Sequence, residues 1–266
     1  MNTAEVRKHL EEFPNARVLA WFSCGAASAV AAKCAVQAYG DRCVVLYCDT
    51  SSTEHPDNVR FMEDVAEWIG KPVKILRSST YSDTWDVYEK TGYLVGPAGA
   101  RCTTELKRNV RKRYADFDDV HVLGFTLDEQ RRVARFNAEN PELFTTFNLV
   151  DNCITKAACY RIIRDAGIAL PTMYVLGFDN NNCIGCVKGG MGYWNKIRVL
   201  FPGVFARMAT LERKMDVAIL SESHYVRGKR ERARVFLDEL DPSRGVGEHE
   251  APMDCGVMCI SGEDDD

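Results

Sequence analysis

Eleven cysteines lie in this 266-residue chain, and several stand where thiols do chemistry. Cys183-Ile-Gly-Cys186 sets two thiols at a spacing that lets both bind one metal ion, with a glycine that permits the tight turn between them. The same spacing suits a redox pair, or two cysteines without a role. The flanking stretch "DNNNCIGCVKGGMGYW" holds too many Asn and Gly residues for a packed core element and reads as a loop shaped around something. That favours a ligand role for Cys183 and Cys186. Tyr193 and Trp194 are expected to cover this loop with hydrophobic surface. Cys102 opens a helix expected over 103–113, where the positive helix end and Lys107 favour a thiolate. Cys255 and Cys259 sit in "DCGVMC", within a tail otherwise rich in Gly, Glu and Asp. Together with Cys183 and Cys186 they also make a plausible structural zinc set, and zinc and iron–sulfur groups share such ligands. Cys34, Cys43, Cys48 and Cys159 fall in apolar patterns and are assigned to the core. Cys153 is left open.

A second chemistry is suggested by "WFSCGAASAV", residues 21–30. Ser23, Cys24, Gly25, Ala26, Ala27 and Ser28 are all small. Small residues after a strand let backbone N–H groups approach an anion, and the following helix adds its positive end. A tight packing turn is an equal reading of the loop taken alone. It is neither a Walker motif nor a dinucleotide fingerprint. Asp49 has the character of a magnesium or ribose ligand, or of a turn residue, and a ligand role is favoured. Glu129 supports a weaker version of the same reading. Arg131 and Arg132 offer guanidinium donors to phosphate or sulfate. His55 and His121 stand near strand ends and are expected to lack a ligand role.

The elements that must position these residues alternate. "RVLAWF" (17–22), "CVVLYC" (43–48), "PVKIL" (72–76) and "VHVLGF" (120–125) read as buried strands. Helices are expected over 26–39 and 56–70, the latter from Pro56 to Gly70. Such alternation implies a parallel sheet, whose ligands sit beyond the carboxyl ends of the strands. Ser23–Ser28, Asp49–Glu54 and Gly124–Glu129 then share one rim. The second half reads as helical at 154–166, 194–214 and 229–239. The expected division is an α/β nucleotide-binding core over 1–150 and a helical region with cysteine loop and tail over 151–266.

Composition sets bounds. Hydrophobic residues make up 46% and the formal net charge is −4, which fits a globular protein and argues against a dedicated nucleic-acid coat. Basic clusters at 107–113 and 227–232 are expected to be solvated helix faces. No apolar run is long enough for a membrane span. "MNTAEVRKHLEEF" lacks the apolar centre of a signal peptide, so a cytoplasmic location is expected. A reducing compartment argues against a disulfide framework.

Ser23-x-Gly25-x-x-Ser28, "YCDTSSTEHPDNVRF", "RCTTELKR", "GFTLDEQRR", "ALPTMYVLGFDNNNCIGC" and "DCGVMC", in that order over 17–259, resemble the motifs of a known family. They are similar to those of the phosphoadenylyl-sulfate (PAPS) reductase-like family, in the adenine nucleotide α-hydrolase-like (PP-loop) superfamily. The resemblance implies a HUP or Rossmann-like α/β fold with a parallel sheet. It implies ATP or another adenine nucleotide, with magnesium, at Ser23, Cys24, Gly25, Ala26, Ser28, Asp49, Thr50, Gly124, Glu129 and Arg132. Carried over residue by residue, it implies a 4Fe–4S cluster on Cys102, Cys183 and Cys186. Cys259 would be the fourth ligand or a resolving thiol. Cys255 would be the catalytic nucleophile, aided by Lys107. A thioredoxin-like reductant and a homodimer are compatible with it.

The chain also departs from the family pattern. Cys24 and Ala27 replace a glycine and an aspartate of the usual loop, and Thr126 stands in place of an arginine. Arg101 precedes Cys102 where the family has a cysteine pair. Gly189 stands in place of a further cysteine, and Met258 in place of a histidine. The expected function is therefore thiol-dependent reduction of a sulfonucleotide, or ATP-driven sulfur transfer. The alternatives are a tRNA or DNA thiolation enzyme, and a non-catalytic nucleotide-binding module with structural zinc.

Overall fold

The computed structural model describes residues 1–96, 99–226 and 229–247. Cys255 and Cys259 therefore lie outside the described residues. Helix α1 (Thr3–Glu12) starts in a capping box, in which Asn2 and Glu5 satisfy each other's backbone N–H groups. Strands β1 (Val18–Trp21), β2 (Cys43–Cys48) and β3 (Val73–Leu76) alternate with α2 (Ala26–Tyr39) and α3 (Asn58–Ile69). Gly70 closes α3 in the left-handed conformation, the C-terminal signal that glycine provides. Helix α4 (Thr84–Thr91) leads to a two-residue ribbon, β4 (Val95–Gly96) and β5 (Gly99–Ala100). Next, α5 (Arg101–Thr103) passes through a π-helical turn (Thr104–Arg108) into α6 (Asn109–Tyr114). Then come β6 (Val120–Val122), α7 (Gln130–Glu139), β7 (Phe144–Thr146), α8 (Asn148–Asp151), α9 (Lys156–Asp165), α10 (Thr172–Val175), α11 (Met191–Leu200) and α12 (Pro202–Met215). Strands β8 (Leu220–Val226) and β9 (Lys229–Val235) follow.

Five strands form one parallel sheet in the order β3-β2-β1-β6-β7. The α/β expectation holds, and the topology is Rossmann-like. The chain runs outward from β1 to β3, then crosses back to lay β6 on the other side of β1. That reversal opens the sheet's carboxyl rim between β1 and β6, the place where such sheets take ligands. Central strands are buried on both faces, which is why they read as unbroken apolar runs. On β1, Val18 and Ala20 pack with α2, α3 and α9, whereas Leu19 and Trp21 pack with Val110 of α6 and Phe136 of α7.

A third apolar cluster joins Tyr88 of α4 and Leu106 to Met173, Trp194, Met208 and Leu237. The cores thus interleave along the sequence. Residues 84–106 pack with the C-terminal part, and α9 packs on α2.

Three expectations are corrected. Residues 229–235 form β9, paired antiparallel with β8, and not a helix over 229–239. "KRERARV" consists largely of good helix formers, but a long-range partner strand outweighs local propensity. Its anchor is Glu212, which is fully buried and accepts the Ile219 and Leu237 N–H groups, each at 2.7 Å. The helix expected over 194–214 is two helices, because Pro202 starts α12 and ends the one before it. The 107–113 cluster is only in part a solvated face: Lys112 and Arg113 are exposed, whereas Lys107 and Arg111 are buried. The β9 side of the second cluster does expose Glu231 and Arg232.

Candidate functional site

The loop after β1 closes on itself. Ser28 Oγ donates to Gly25 O at 2.9 Å and accepts the Ser23 N–H and Ser23 hydroxyl, each at 3.1 Å. Cys24 takes a positive φ of 57°, and Gly25 is the N-cap of α2 with no side-chain cap. The first N–H groups of α2 are therefore left to other acceptors. One is the Tyr174 hydroxyl, 3.4 Å from Ala26 N. Tyr174 also accepts the Asn181 N–H, and burial raises its pKa. Tyr174 reaches the loop because the α3 end of the sheet holds its segment. Asp57 accepts the Thr172 N–H at 2.9 Å, and Arg60, bonded to Asp57, donates to Ala169 O. The Arg60 hydrogen bond also holds the Asp57 carboxyl down at about 2.

Gly124 fills the rim on the β6 side. A Cβ there would lie 2.8 Å from Ser28 Cα and 2.9 Å from Ser28 N. Its part is to let two backbones meet across the switch point.

At the end of β2, Asp49 accepts the Ser51 N–H and hydroxyl at 3.1 and 2.6 Å and the Arg77 Nε–H at 2.8 Å. That is the geometry of an Asx turn with an ion pair. Thr50 is buried and donates to Glu54, as do Tyr47 and Asn58, at 2.5, 2.9 and 2.8 Å. The chain of bonds continues, because Asn181 Nδ2 donates to Asn58 Oδ1 at 2.8 Å and to Cys24 O at 2.7 Å. Asn181 Oδ1 is buried and has no hydrogen-bond partner among the described residues. Asn58 and Asn181 were not singled out from the sequence, although both fall in stretches that carry the family resemblance, and Glu54 ends the rim segment expected over 49–54.

The same region carries the cysteine loop. Ile184 N donates to Thr53 O at 2.7 Å, and the Thr53 hydroxyl lies 3.3 Å from Cys183 Sγ. The loop is wound around the Tyr193 hydroxyl, which accepts the Gly185 and Cys186 N–H groups at 2.9 and 3.0 Å and donates to Cys183 O at 3.0 Å. Tyr193 is thus a polar template as well as a cover. Gly185 has a φ of 80°, and a Cβ there would press on Val204 at 2.6 Å, so only glycine is comfortable.

Cys102 joins them through Tyr88, whose hydroxyl donates to Cys102 Sγ at 3.3 Å. Burial first, then the Cys102, Cys186 and Cys183 thiols, raise the Tyr88 pKa well above its ordinary value. Tyr88 thus touches the Cys102 thiol and senses the thiols of Cys183 and Cys186, two buried residues of a segment far along the chain. That donor set has the chemistry of a thiolate-bound metal group. Among the described residues, no three His, Cys, Asp or Glu side chains converge closely enough to hold a metal ion. The fourth expected ligand, Cys259, and the expected nucleophile, Cys255, lie outside the described residues.

Four other cysteines, Cys24, Cys43, Cys48 and Cys159, are buried thiols. Burial drives the Cys24 thiol far above its ordinary value, so that residue contributes its backbone. Burial pushes Cys43, Cys48 and Cys159 up to about 12. Cys34 is half-buried, and Cys153 is exposed with a φ of 54°.

Lys107, buried in the π-helical turn, exerts its charge on the Cys24 and Cys48 thiols and so faces the ends of β1 and β2. On the far side of the rim, Glu129 forms a capping box with Thr126 and pairs with Arg132, whose guanidinium lies over Phe125. Arg131 is exposed. The structure therefore places Gly124 against Ser28 and links the loop after β1, through Asn181 and Thr53, to the segment that carries Cys183 and Cys186, while Cys102 bonds to Tyr88. It gives Asp49, Glu129 and Arg132 local partners of their own. Among the described residues, no helix is long and apolar enough to cross a membrane. No protein-family model matches the sequence, and no curated protein matches it.

Proposed function

We propose that this chain is an adenine-nucleotide-binding enzyme of the PAPS reductase-like kind, acting on sulfur beside a cysteine-bound iron–sulfur cluster. The observation that carries the reading is the hydrogen-bonded bridge from loop to thiols. Asn181 holds Cys24 O at 2.7 Å, and three residues later Ile184 N holds Thr53 O at 2.7 Å. An anion held at the start of α2 would then lie beside sulfur ligands and not across the molecule from them. Cys102, Cys183 and Cys186 would hold the cluster, with Cys259 as the fourth ligand. The cluster would supply a polarising, redox-capable charge next to the substrate.

The described residues have separate parts in this reading. Ser23, Ser28 and the N–H groups at the start of α2 bind and orient a phosphate. Lys107 supplies positive charge at the ends of β1 and β2, and Tyr193 fixes the loop that carries Cys183 and Cys186. Cys255 is the proposed nucleophile, and a thiol reductant would release it.

Anaerobic purification with counting of iron, acid-labile sulfide and zinc tests the cluster. Iron and sulfide in comparable amounts are expected, with both lost in Cys183→Ser and Cys186→Ser. Zinc without sulfide would leave the structural-zinc module in its place. Equilibrium binding of AMP and ATP tests the nucleotide, and at least a tenfold loss is expected in Ser28→Ala, whose hydroxyl closes the loop.

A further inference from the structure

The β8–β9 ribbon has no part in the reading above. Residues 220–235 carry five Lys or Arg and two Glu, in a chain whose net charge is −4. These charges are sorted by face. The register sets Ser221 opposite Arg234, Ser223 opposite Arg232 and Tyr225 opposite Arg230. Opposed residues share a face of the ribbon, and faces alternate along each strand. One face is therefore built from three arginine positions opposite three hydroxyl residues. Both glutamates fall at positions of the other face, Glu222 opposite Ala233 and Glu231 opposite His224. Glu222 also forms an ion pair with Arg244.

The arginine face is open to solvent. Ser221, Ser223, Arg232 and Arg234 are exposed, and Tyr225 is 76% exposed. Arg232 has no hydrogen-bond or ion-pair partner among the described residues. Arg234 donates to Asp216 O at 2.7 Å and lies 3.5 Å from the Asp216 carboxylate, an exposed ion pair that is worth little in water. Charged side chains on a ribbon also guard its edges against aggregation. That guard works with either sign on either face, and cross-strand pairs of opposite charge would add stability. Here the signs are kept apart, so the arginine face forgoes those pairs.

Alternate strand positions lie about 7 Å apart, and a row of like charges at that repeat is matched by the phosphates of a nucleic-acid strand. The shape of the ribbon selects among nucleic acids. Glu231, Arg232, Ala233 and Arg234 are consecutive and all exposed, so both faces are uncovered there. A two-stranded ribbon of this kind enters the major groove of B-form DNA, whereas the major groove of an RNA duplex is too deep and narrow for it.

We propose that the arginine face of the β8–β9 ribbon docks on duplex DNA, with Arg232 and Arg234 on backbone phosphates. The surface uses neither the loop after β1 nor the cysteines, so it goes beyond the nucleotide reading, and its failure would leave that reading intact.

The test is fluorescence anisotropy of a short labelled DNA duplex titrated with the full chain. Micromolar or tighter binding is expected at about 50 mM salt, weakening steeply by about 200 mM. Arg232→Gln should weaken it and reduce the salt slope by about one, the signature of a lost phosphate contact. Arg232→Glu should cost about tenfold or more, and Arg232→Lys should keep most of the affinity. Lys8→Glu, which reverses an exposed cation of α1, should leave binding unchanged. Equal thermal midpoints are expected, because these side chains are exposed. If Arg232→Glu is less stable, the uncharged Gln variant decides. No binding by the unmodified chain, unchanged affinity in the Gln and Glu variants, or an equal loss in Lys8→Glu overturns the proposal. So does tighter binding of single-stranded DNA, duplex RNA or polyglutamate, each of which assigns the face to a different partner.

Discussion

The imidazole of His121, 2% exposed on β6, accepts the Trp21 Nε1–H on Nδ1 at 3.0 Å. Burial first, then the charge of Arg111, lowers its pKa to about 4. The unfolded chain binds this proton near pH 6.5 and the folded chain only near 4. The stability that neutral His121 contributes is complete above pH 6.5 and is lost as pH falls through 4. The full loss is on the order of 3 kcal/mol, from about 1.4 kcal/mol per pH unit. His121→Gln keeps an acceptor for Trp21 and cannot titrate. Urea unfolding from pH 7 to 4 should therefore show about one proton less of pH dependence in the variant. Equal slopes in the two proteins would assign the titration to another group. Cys24 teaches a related lesson, since a thiol in a phosphate-type loop is reactive only if something offsets its burial.

Elements meet at the rim through backbone, and Gly124 is where this is tightest. Its neighbour is the backbone of Ser28, which cannot swing aside as a side chain can. Gly124→Ala must push the loop after β6 away from the start of α2. We expect a loss of about 1–3 kcal/mol in urea unfolding, the usual penalty for overpacking. Weaker ATP binding should accompany it, because the displacement presses on Ser28, which closes the loop after β1. An alanine variant as stable as the parent would show that the two loops can separate freely. The β8–β9 hairpin makes the opposite point. Its strands are held by pairing with each other and by Glu212, which no local pattern announces.

At the scale of the molecule, the apolar clusters are threaded through one another. Cys159, Ile163 and Ile168 cover the α2 face of the sheet, while Tyr88 and Leu106 belong to the cluster built around Trp194. A fragment ending at residue 150 would leave α2 uncovered and α4 without its partners. Expressed alone, residues 1–150 should bind a hydrophobic dye and show no cooperative thermal transition, whereas the full chain unfolds sharply. A sharp transition in the fragment would show that the first half is a domain in its own right. The bridge from Asn181 to Cys24 ties the cysteine loop to the loop after β1, so loss of either cluster should disturb both halves of the proposed site.

The sequence by itself determined the parallel sheet, the rim and the segments that bear thiols. Strand burial on both faces and helix start and stop signals are local patterns, written in consecutive residues such as 43–48 and 26–39. It also marked the Cys183–Cys186 loop by composition. Only the tertiary structure decided that Tyr88 bonds to Cys102, that Asn181 bridges the loops, that Arg111 is buried and that 229–235 is a strand. Each of these depends on partners far apart in the chain, and a contact energy between distant residues leaves no periodicity in either segment to be read.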